Sequence, residues 1–115
     1  MDRDWKYLVI WEFHVRQGRE PAFEKSYGSE GSWAQLFGKG EGFVATELNR
    51  DVKEPGRYLT LDFWSSREAY ESFRQQHAAR YKEIDAECEE MTESEAEIGR
   101  FARVTNYGAD VKASY

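Results

Sequence analysis

The order of strand-like and helix-like segments is the feature that most restricts the fold of this chain. Residues 5–16 are dense in aromatic and β-branched side chains, which predicts a first strand. Residues 42–50 and 57–64 have the same character and flank a turn at residues 51–56. The chain therefore contains one strand, then an interval, and then a predicted pair of strands.

The interval after the first strand has a helical pattern. Pro21 suits the first turn of a helix, where its missing N–H group is not needed. The apolar positions that follow are interrupted at residues 28–31, and the pattern stops at Gly38 and Gly40. This segment predicts either one broken helix or two short ones.

A second helix is predicted after the pair of strands. Ser65 and Glu68 have the spacing of a capping box, and apolar residues then recur every three or four positions for about six turns. These residues are Tyr70, Phe73, His77, Tyr81, Ile84, Cys88 and Met91. Thr92 and Glu95 repeat the capping spacing and predict a further short helix.

Residues 101–107 are predicted to form the last strand. The complete order is β-α-β-β-α-β, which is typical of the α+β class and of the ferredoxin-like fold with a four-stranded antiparallel sheet. At 115 residues the chain fits one domain, residues 1–115, with its core in residues 5–107. Residues 108–115 are expected to be a frayed tail.

Charge and composition exclude several classes of function. A formal net charge of -6 without a basic stripe disfavours nucleic acids and anionic membranes as partners. The longest apolar run, residues 7–11, is far shorter than the ~20 residues of a membrane span. Cys88 is the single cysteine, so neither an internal disulfide nor a cysteine-based metal site is expected. We expect a soluble, cytoplasmic protein without a metal.

Alternation along the strands divides the predicted sheet into two faces. If Asn49 pairs with Tyr58, one face is apolar enough to lie under the helices, and the other mixes apolar groups with carboxylates. The first face carries Val9, Trp11, Phe13, Val15, Val44, Thr46, Leu48, Leu59, Leu61 and Phe63. The second carries Leu8, Ile10, Glu12, His14, Phe43, Glu47, Thr60, Asp62 and Trp64.

Two helices can cover only one face of a four-stranded sheet. The second face would leave large apolar side chains exposed, and such a surface usually marks an interaction site. A two-fold dimer that pairs this face with its own copy would cover it. We therefore expect a homodimer through the face that bears Ile10, His14 and Trp64.

The two histidines are candidates for proton transfer, because imidazole titrates near neutral pH. His77 lies on the apolar seam of the long helix and is the preferred catalytic base; the alternative is a packed histidine of the core or interface. His14 would lie near Glu12 and Asp62 if the first and third strands run parallel. For His14 we favour a polar network at the dimer interface.

Seven aromatic residues would border the space between the helices and the sheet. They define either a cavity for a flat aromatic ligand or a filled aromatic core. The sequence does not distinguish these two alternatives. The seven candidate substrate-binding residues are Trp11, Tyr27, Trp33, Phe37, Phe63, Phe73 and Tyr81.

Two segments carry a resemblance to a known family. The run YLVIWEFHVRQGREPAFE and the later run GFVATELNRDVKEPGRYLTLDFWSSREAYESF resemble an antibiotic biosynthesis monooxygenase domain. The resemblance covers residues 5–104. Its motif elements are Gly18, Phe23, Gly42, Trp64, Ser65, Tyr70 and Phe73, which are mostly structural positions.

The resemblance implies a dimeric α/β barrel, and the family includes cofactor-free monooxygenases that act on aromatic polyketides. The leading hypothesis is therefore an enzyme without a cofactor that oxidises a small aromatic or quinol-type molecule with dioxygen. The alternatives are a non-catalytic small-molecule binding or stress-associated protein and, third, a haem-binding or haem-degrading protein. The haem-degrading branch uses Asn where Trp11 stands and Trp where Phe73 stands, and His77 does not match its haem-ligating position.

Overall fold

The computed structural model describes residues 4–108, so nearly all of the predicted tail, residues 109–115, lies outside the described residues. The elements follow the predicted β-α-β-β-α-β plan, with each helical interval divided in two. The strands are β1 (Tyr7–Val15), β2 (Phe43–Arg50), β3 (Arg57–Trp64) and β4 (Thr92–Ala102). The helices are α1 (Glu20–Tyr27), α2 (Ser32–Phe37), α3 (Arg67–Gln76) and α4 (Ala78–Cys88), and a 3₁₀ turn (Glu89–Met91) precedes β4.

The four strands form one antiparallel sheet in the order β2-β3-β1-β4. This order confirms the predicted ferredoxin-like fold. The parallel arrangement considered for the first and third strands is wrong, since Tyr7 lies opposite Trp64 and His14 lies opposite Arg57. The hairpin between β2 and β3 reverses the chain, so the strand beside β1 runs against it.

Of the two alternatives for the first helical interval, the structure shows two short helices, α1 and α2. Pro21 lies in the first turn of α1, as predicted, and the chain between α1 and α2 crosses the glycine-rich residues 28–31. At the start of α3 the cap is Ser66 and not Ser65. The Ser66 Oγ accepts a hydrogen bond of 3.0 Å from the Ala69 N–H, which satisfies one of the free amide groups of the first turn.

The long helix predicted after Ser65 is interrupted at His77, whose backbone has φ -115° and ψ 24°. The interruption is mild, because the His77 N–H donates to the Phe73 carbonyl and the Tyr81 N–H donates to the His77 carbonyl, both at 2.9 Å. The seam therefore continues from α3 into α4 with a change of direction.

The short helix predicted at Thr92 is wrong, and the last strand begins there rather than at residue 101. β4 is an edge strand paired only with β1, and most of its side chains are exposed. An edge strand does not need the apolar alternation that identifies an internal strand in a sequence. Its backbone pairing with β1 outweighs the capping-type residues at its start.

The assignment of β3 side chains to the two faces is also wrong. The hairpin pairs Asn49 with Leu59 and Arg50 with Tyr58, one residue away from the pairing assumed above. A one-residue change of register moves every side chain of a strand to the opposite face. Tyr58, Thr60, Asp62 and Trp64 are the residues that face the helices.

We call the face under the helices the covered face. Its β1 and β3 residues are Tyr7, Val9, Trp11, Phe13, Val15, Tyr58, Thr60, Asp62 and Trp64. Trp64 is 0% exposed and therefore does not belong to the expected dimer face. Phe43 also lies on the covered face, where its ring contacts those of Phe37 and Trp64 at 5.8 and 5.3 Å.

We call the opposite side the open face. Its β1 and β3 residues are Leu8, Ile10, Glu12, His14, Arg57, Leu59, Leu61 and Phe63. Phe63 was expected between the helices and the sheet, but its ring packs on Trp5 at 4.9 Å on this side. The buried residues of all four helices instead join the core formed by the covered face.

His14 and Glu12 do lie together on the open face, but Asp62 does not join them. His14 Nδ1 is 3.3 Å from Glu54, and the Arg57 guanidinium pairs with Glu12 at 2.6 Å and with Asp51 at 2.8 Å. These ion pairs form a polar network around His14 with Arg57 as a cation. These pairs lie beside the aliphatic part of the open face.

Candidate functional site

A cavity of about 190 Å³ lies between the covered face and the helices, partly open to solvent. Its existence decides between the two alternatives left by the sequence, a cavity and a filled core. Six aromatic residues form its walls: Trp11, Phe13, Tyr27, Trp33, Phe37 and Tyr81. Six polar or charged residues complete the lining: Thr46, Thr60, Asp62, Arg74, Asp85 and Glu95.

The aromatic walls are tied together by ring contacts. The Trp33 ring lies 4.8 Å from that of Tyr81 in an edge-on arrangement and 5.9 Å from those of Tyr27 and Phe37. The Trp33 indole N–H is buried near the Tyr27 hydroxyl and the Cys88 thiol, yet no acceptor in residues 4–108 meets hydrogen-bond geometry. Such a wall of contacting rings suits a flat, apolar ligand.

Asp62 is a buried carboxylate in the lining of the cavity. Its side chain is on the covered face of β3, and the residue is 6% exposed. The Thr46 hydroxyl on β2 donates a hydrogen bond of 2.7 Å to Asp62 Oδ1. Burial raises the pKa of Asp62 to about 6, and the Thr46 hydrogen bond opposes that rise. Asp62 is thus largely ionised at neutral pH but is a stronger base than an exposed aspartate.

Arg74 brings the cationic group to the cavity. Its Nη1 donates a hydrogen bond of 2.7 Å to the Tyr70 hydroxyl, and its guanidinium carbon lies 3.9 Å from the centre of the Tyr81 ring. Burial raises the pKa of Tyr81, while the Arg74 charge acts in the opposite direction. Arg74 therefore stacks its guanidinium on one wall of the cavity.

Two carboxylates, Asp85 on α4 and Glu95 on β4, lie where the cavity meets solvent, since both line it and both are exposed. Partial burial raises the pKa of Glu95, and the neighbouring charges of Asp85 and Glu89 raise it further. The mouth of the cavity is consequently acidic.

The structure brings five of the seven candidate substrate-binding residues to the cavity. These five are Trp11, Tyr27, Trp33, Phe37 and Tyr81. Phe63 lies on the open face, as described above. Phe73 is 2% exposed and packs in the core between Phe37 and Trp64, at 5.4 and 4.9 Å, outside the cavity lining.

His77, the expected base, is not among the residues that line the cavity. It occupies the junction of α3 and α4, half-buried, with its ring 5.2 Å from that of Phe73. The backbone N–H and carbonyl of His77 form hydrogen bonds with α3 and α4, respectively. This placement matches the alternative stated for it, a packed histidine.

Sequence reasoning missed Asp62, Thr46 and Arg74 as members of one site. Asp62 was placed on the wrong face by the one-residue register error, and Thr46 was assigned only as a covered residue. A signal was nevertheless present, because Asp62 interrupts the apolar and aromatic run Leu59–Trp64 in a strand. A carboxylate inside such a strand needs either a partner or a function.

Residues 4–108 contain no group of three or more His, Cys, Asp or Glu side chains arranged to hold a metal ion. Within the same residues, no helix has the length and hydropathy needed to cross a membrane.

The chain is similar to one protein family in sequence and to several solved structures in fold. The model of the antibiotic biosynthesis monooxygenase family matches residues 6–84. SnoaB, a cofactor-independent oxygenase from Streptomyces nogalater, superposes with a TM-score of 0.66 at 16% identity over 89% of this chain and 96% of its own. The haem degrader MhuD from Mycobacterium tuberculosis gives a TM-score of 0.67 at 22% identity, over 89% of this chain and 99% of its own. No curated protein sequence matches the chain significantly.

Proposed function

The chain belongs to the antibiotic biosynthesis monooxygenase family, and from this we propose that it is a cofactor-independent monooxygenase of a small aromatic or quinol-type substrate. The chemistry needs little from the protein. An electron-rich phenol or anthrone, once deprotonated, can itself reduce dioxygen. The protein has to bind the ring, remove a proton and exclude bulk water.

One observation carries the proposal: the aromatic cavity contains a buried carboxylate, Asp62, whose pKa is raised to about 6. A general base is most effective when its pKa lies near the operating pH. We assign the role of base to Asp62. The test compares it with His77, the base expected from the sequence.

In the proposed reaction Asp62 accepts a proton from the bound substrate, and the resulting anion reacts with dioxygen. For a phenol, one oxygen atom replaces the hydrogen of the reacting ring carbon and becomes a quinone carbonyl. The other oxygen leaves as water with that hydrogen and the hydroxyl hydrogen. The substrate supplies all of the electrons, so no external reductant is consumed. The aromatic walls keep the anion away from water while this occurs.

The size of the cavity restricts the substrate. An apolar cavity of roughly 150 Å³ is large enough to bind benzene, so about 190 Å³ accommodates little more than one aromatic ring inside the walls. Haem has four pyrrole rings, and neither histidine nor cysteine lines this cavity. The residues present therefore fit haem poorly and a small phenol or quinol well.

Oxygen consumption by the purified protein tests the proposal, with single-ring phenols and hydroquinones as trial substrates. We expect Asp62→Asn to lower kcat by about 10²- to 10⁴-fold, the usual contribution of a general base. His77→Phe is the comparison variant and should retain turnover. Wild-type kcat/KM should fall about tenfold per pH unit below the Asp62 pKa of about 6.

Three outcomes would contradict this assignment. Turnover that survives Asp62→Asn but is lost in His77→Phe would return the role of base to His77. Ligands that quench tryptophan fluorescence without any oxygen uptake would show a non-catalytic binding protein. Added haemin that gives a Soret shift and displaces the small aromatic would favour the haem alternative.

We also propose that the protein is a homodimer through its open face, which includes Ile10 and His14. The support is the aliphatic character of that face, with Leu8, Leu59 and Leu61 on adjacent strands and the helices all packed on the other side. Contiguous apolar surface of this kind is rare on a monomer. Sedimentation velocity at micromolar concentration should give a dimer, and a species of 13.5 kDa would refute this.

A further inference from the structure

Arg74 differs from most arginines of residues 4–108 in its partners. Six arginines have a carboxylate oxygen within 4.0 Å: Arg19, Arg50, Arg57, Arg67, Arg80 and Arg100. Arg74 has a tyrosine hydroxyl and an aromatic ring instead, and no ion pair within the described chain. It is also half-buried and lines the aromatic cavity. A partly desolvated cation without an anion is set to receive one from a ligand.

The contacts of Arg74 fix its orientation and leave donors free. A guanidinium has five N–H donors in a rigid plane, and the structure uses one of them, on the Tyr70 hydroxyl at 2.7 Å. Stacking on Tyr81 at 3.9 Å holds the plane against the cavity wall. Free donors in a fixed plane suit an oxyanion, to which guanidinium bonds are short and strong.

We infer that Arg74 binds the ionised oxygen of the substrate, so that the cavity selects single-ring aromatics with an acidic hydroxyl group and holds them as phenolates. This inference deepens the proposed function and rests on it for the identity of the reacting group. It names the chemical class of the ligand, a small phenol that is readily deprotonated. It also names the residue that determines this specificity.

The proton balance of binding involves two side chains. The phenol O–H bond breaks, the proton goes to an Asp62 carboxylate oxygen, and the electron pair stays on the phenol oxygen beside Arg74. Asp62 and Arg74 both line the cavity, so the base and the cation face the same bound ligand. The negative charge thus moves from a buried aspartate to a ligand oxygen that faces a cation.

Other titratable groups around the cavity limit the selection to one negative charge. Tyr27, Tyr70 and Tyr81 are neutral at neutral pH, since burial raises the pKa of each. Asp85 and Glu95 lie at the mouth and would repel a second anionic group on the ligand. The site therefore favours a phenol over a dianionic aromatic.

The test uses para-nitrophenol under nitrogen, so that no turnover is needed. Its phenolate is yellow and its neutral form colourless, so absorbance reports which form is bound. We expect the wild type to bind the phenolate and lower the apparent pKa of the bound dye. Arg74→Met should weaken phenolate binding by about ten- to hundredfold, since hydrogen bonds to charged groups contribute roughly 1.5–3 kcal/mol.

Two controls keep the result interpretable. Arg67→Met removes an exposed arginine of the same helix that pairs with Glu71 outside the cavity, and it should leave phenolate binding unchanged. Nitrobenzene has nearly the same shape without an ionisable oxygen, so it should bind Arg74→Met as well as it binds the wild type. Retained nitrobenzene binding shows that the cavity of the variant is intact.

The inference is overturned if the dye binds as the neutral phenol, or if Arg74→Met binds the phenolate as tightly as the wild type. Failure of both nitrobenzene and para-nitrophenol to bind the wild type would overturn it as well. Its failure is distinguishable from that of the proposed function. Phenolate binding that depends on Arg74, without oxygen uptake for any substrate, would leave this inference intact and refute the monooxygenase.

Discussion

The two faces of the same sheet carry opposite chemistry. On β3 the covered face has Thr60 and Asp62, both buried, whereas the open face has Leu59 and Leu61, both half-buried in this chain. Burial in the core would ordinarily favour the reverse assignment, with leucines under the helices. The inversion is what the two proposals require, a ligand site on the covered face and a dimer interface on the open face.

The comparison predicts that a charge introduced on the open face will weaken the association of two chains. Leu61 lies in the middle of the open face, opposite Ile10 on β1 and Glu47 on β2. Leu61→Glu should weaken the proposed dimer by at least about a hundredfold, because charges in such an interface are desolvated and repel their symmetry mates. Sedimentation equilibrium of the variant measures this change.

Val52→Glu is the matched control for that substitution. Val52 is 96% exposed in the turn between β2 and β3, so the same charge there should leave the association unchanged. Circular dichroism and thermal melting establish that the Leu61→Glu subunit is folded. A folded Leu61→Glu protein that remains a dimer would exclude the open face as the interface.

The order of strands and helices could be predicted from the sequence. The face of the sheet that each side chain occupies could not. Strands such as Tyr7–Val15 and Arg57–Trp64 are identified by dense aromatic and β-branched residues, which the sequence displays directly. Which face each residue occupies depends on a hairpin register that differs by one residue, Asn49 opposite Leu59 rather than Tyr58. Assuming that the apolar residues face inward gave the wrong register, because the covered face carries the polar groups of a site.

The next largest effect concerns the free energy of unfolding of the protein, through Asp62 on the covered face. Asp62 has its pKa raised from 3.8 to about 6 by burial, so the folded state holds the proton more tightly than the unfolded chain. The stabilisation from this proton is present below about pH 4 and is lost as the pH rises through about 6. A shift of about two units corresponds to roughly 3 kcal/mol at neutral pH.

Asp62→Asn removes this titration and tests its sign. The free energy of unfolding of the variant, relative to the wild type, should rise by roughly 3 kcal/mol between about pH 3 and pH 7. Urea unfolding at both pH values measures the difference. A difference that stays constant with pH would show that Asp62 titrates as an ordinary exposed aspartate and would remove the basis for its role as a base.

The aromatic half of the site was predictable, and the polar half was not. Aromatic residues such as Trp33 and Tyr81 fall on helical seams, so their meeting follows from the predicted fold. The pairing of Thr46 with Asp62 depends on strand register. The approach of Arg74 to Tyr81 depends on the turn at His77, where the helix changes direction. Neither feature has a signal in spacing alone.

The smallest predicted effect separates the two contributions to the pKa of Asp62. The Thr46 hydroxyl donates to Asp62 Oδ1 at 2.7 Å, which stabilises the ionised form and opposes the effect of burial. Thr46→Val removes the donor while keeping the shape of the side chain, so the pKa of Asp62 should rise by about one unit. An NMR titration of the Asp62 carboxyl carbon measures the shift without reference to turnover.

Thr60→Val is the control for that titration, since Thr60 lines the same cavity on the covered face without a hydrogen bond to Asp62. If both variants shift the pKa equally, the Thr46 hydrogen bond has no specific role, and desolvation alone determines the pKa. If only Thr46→Val does so, the acid limb of kcat/KM should move to higher pH by the same amount. Agreement between the two shifts would then identify Asp62, the group that titrates in the NMR experiment, as the base that acts in the reaction.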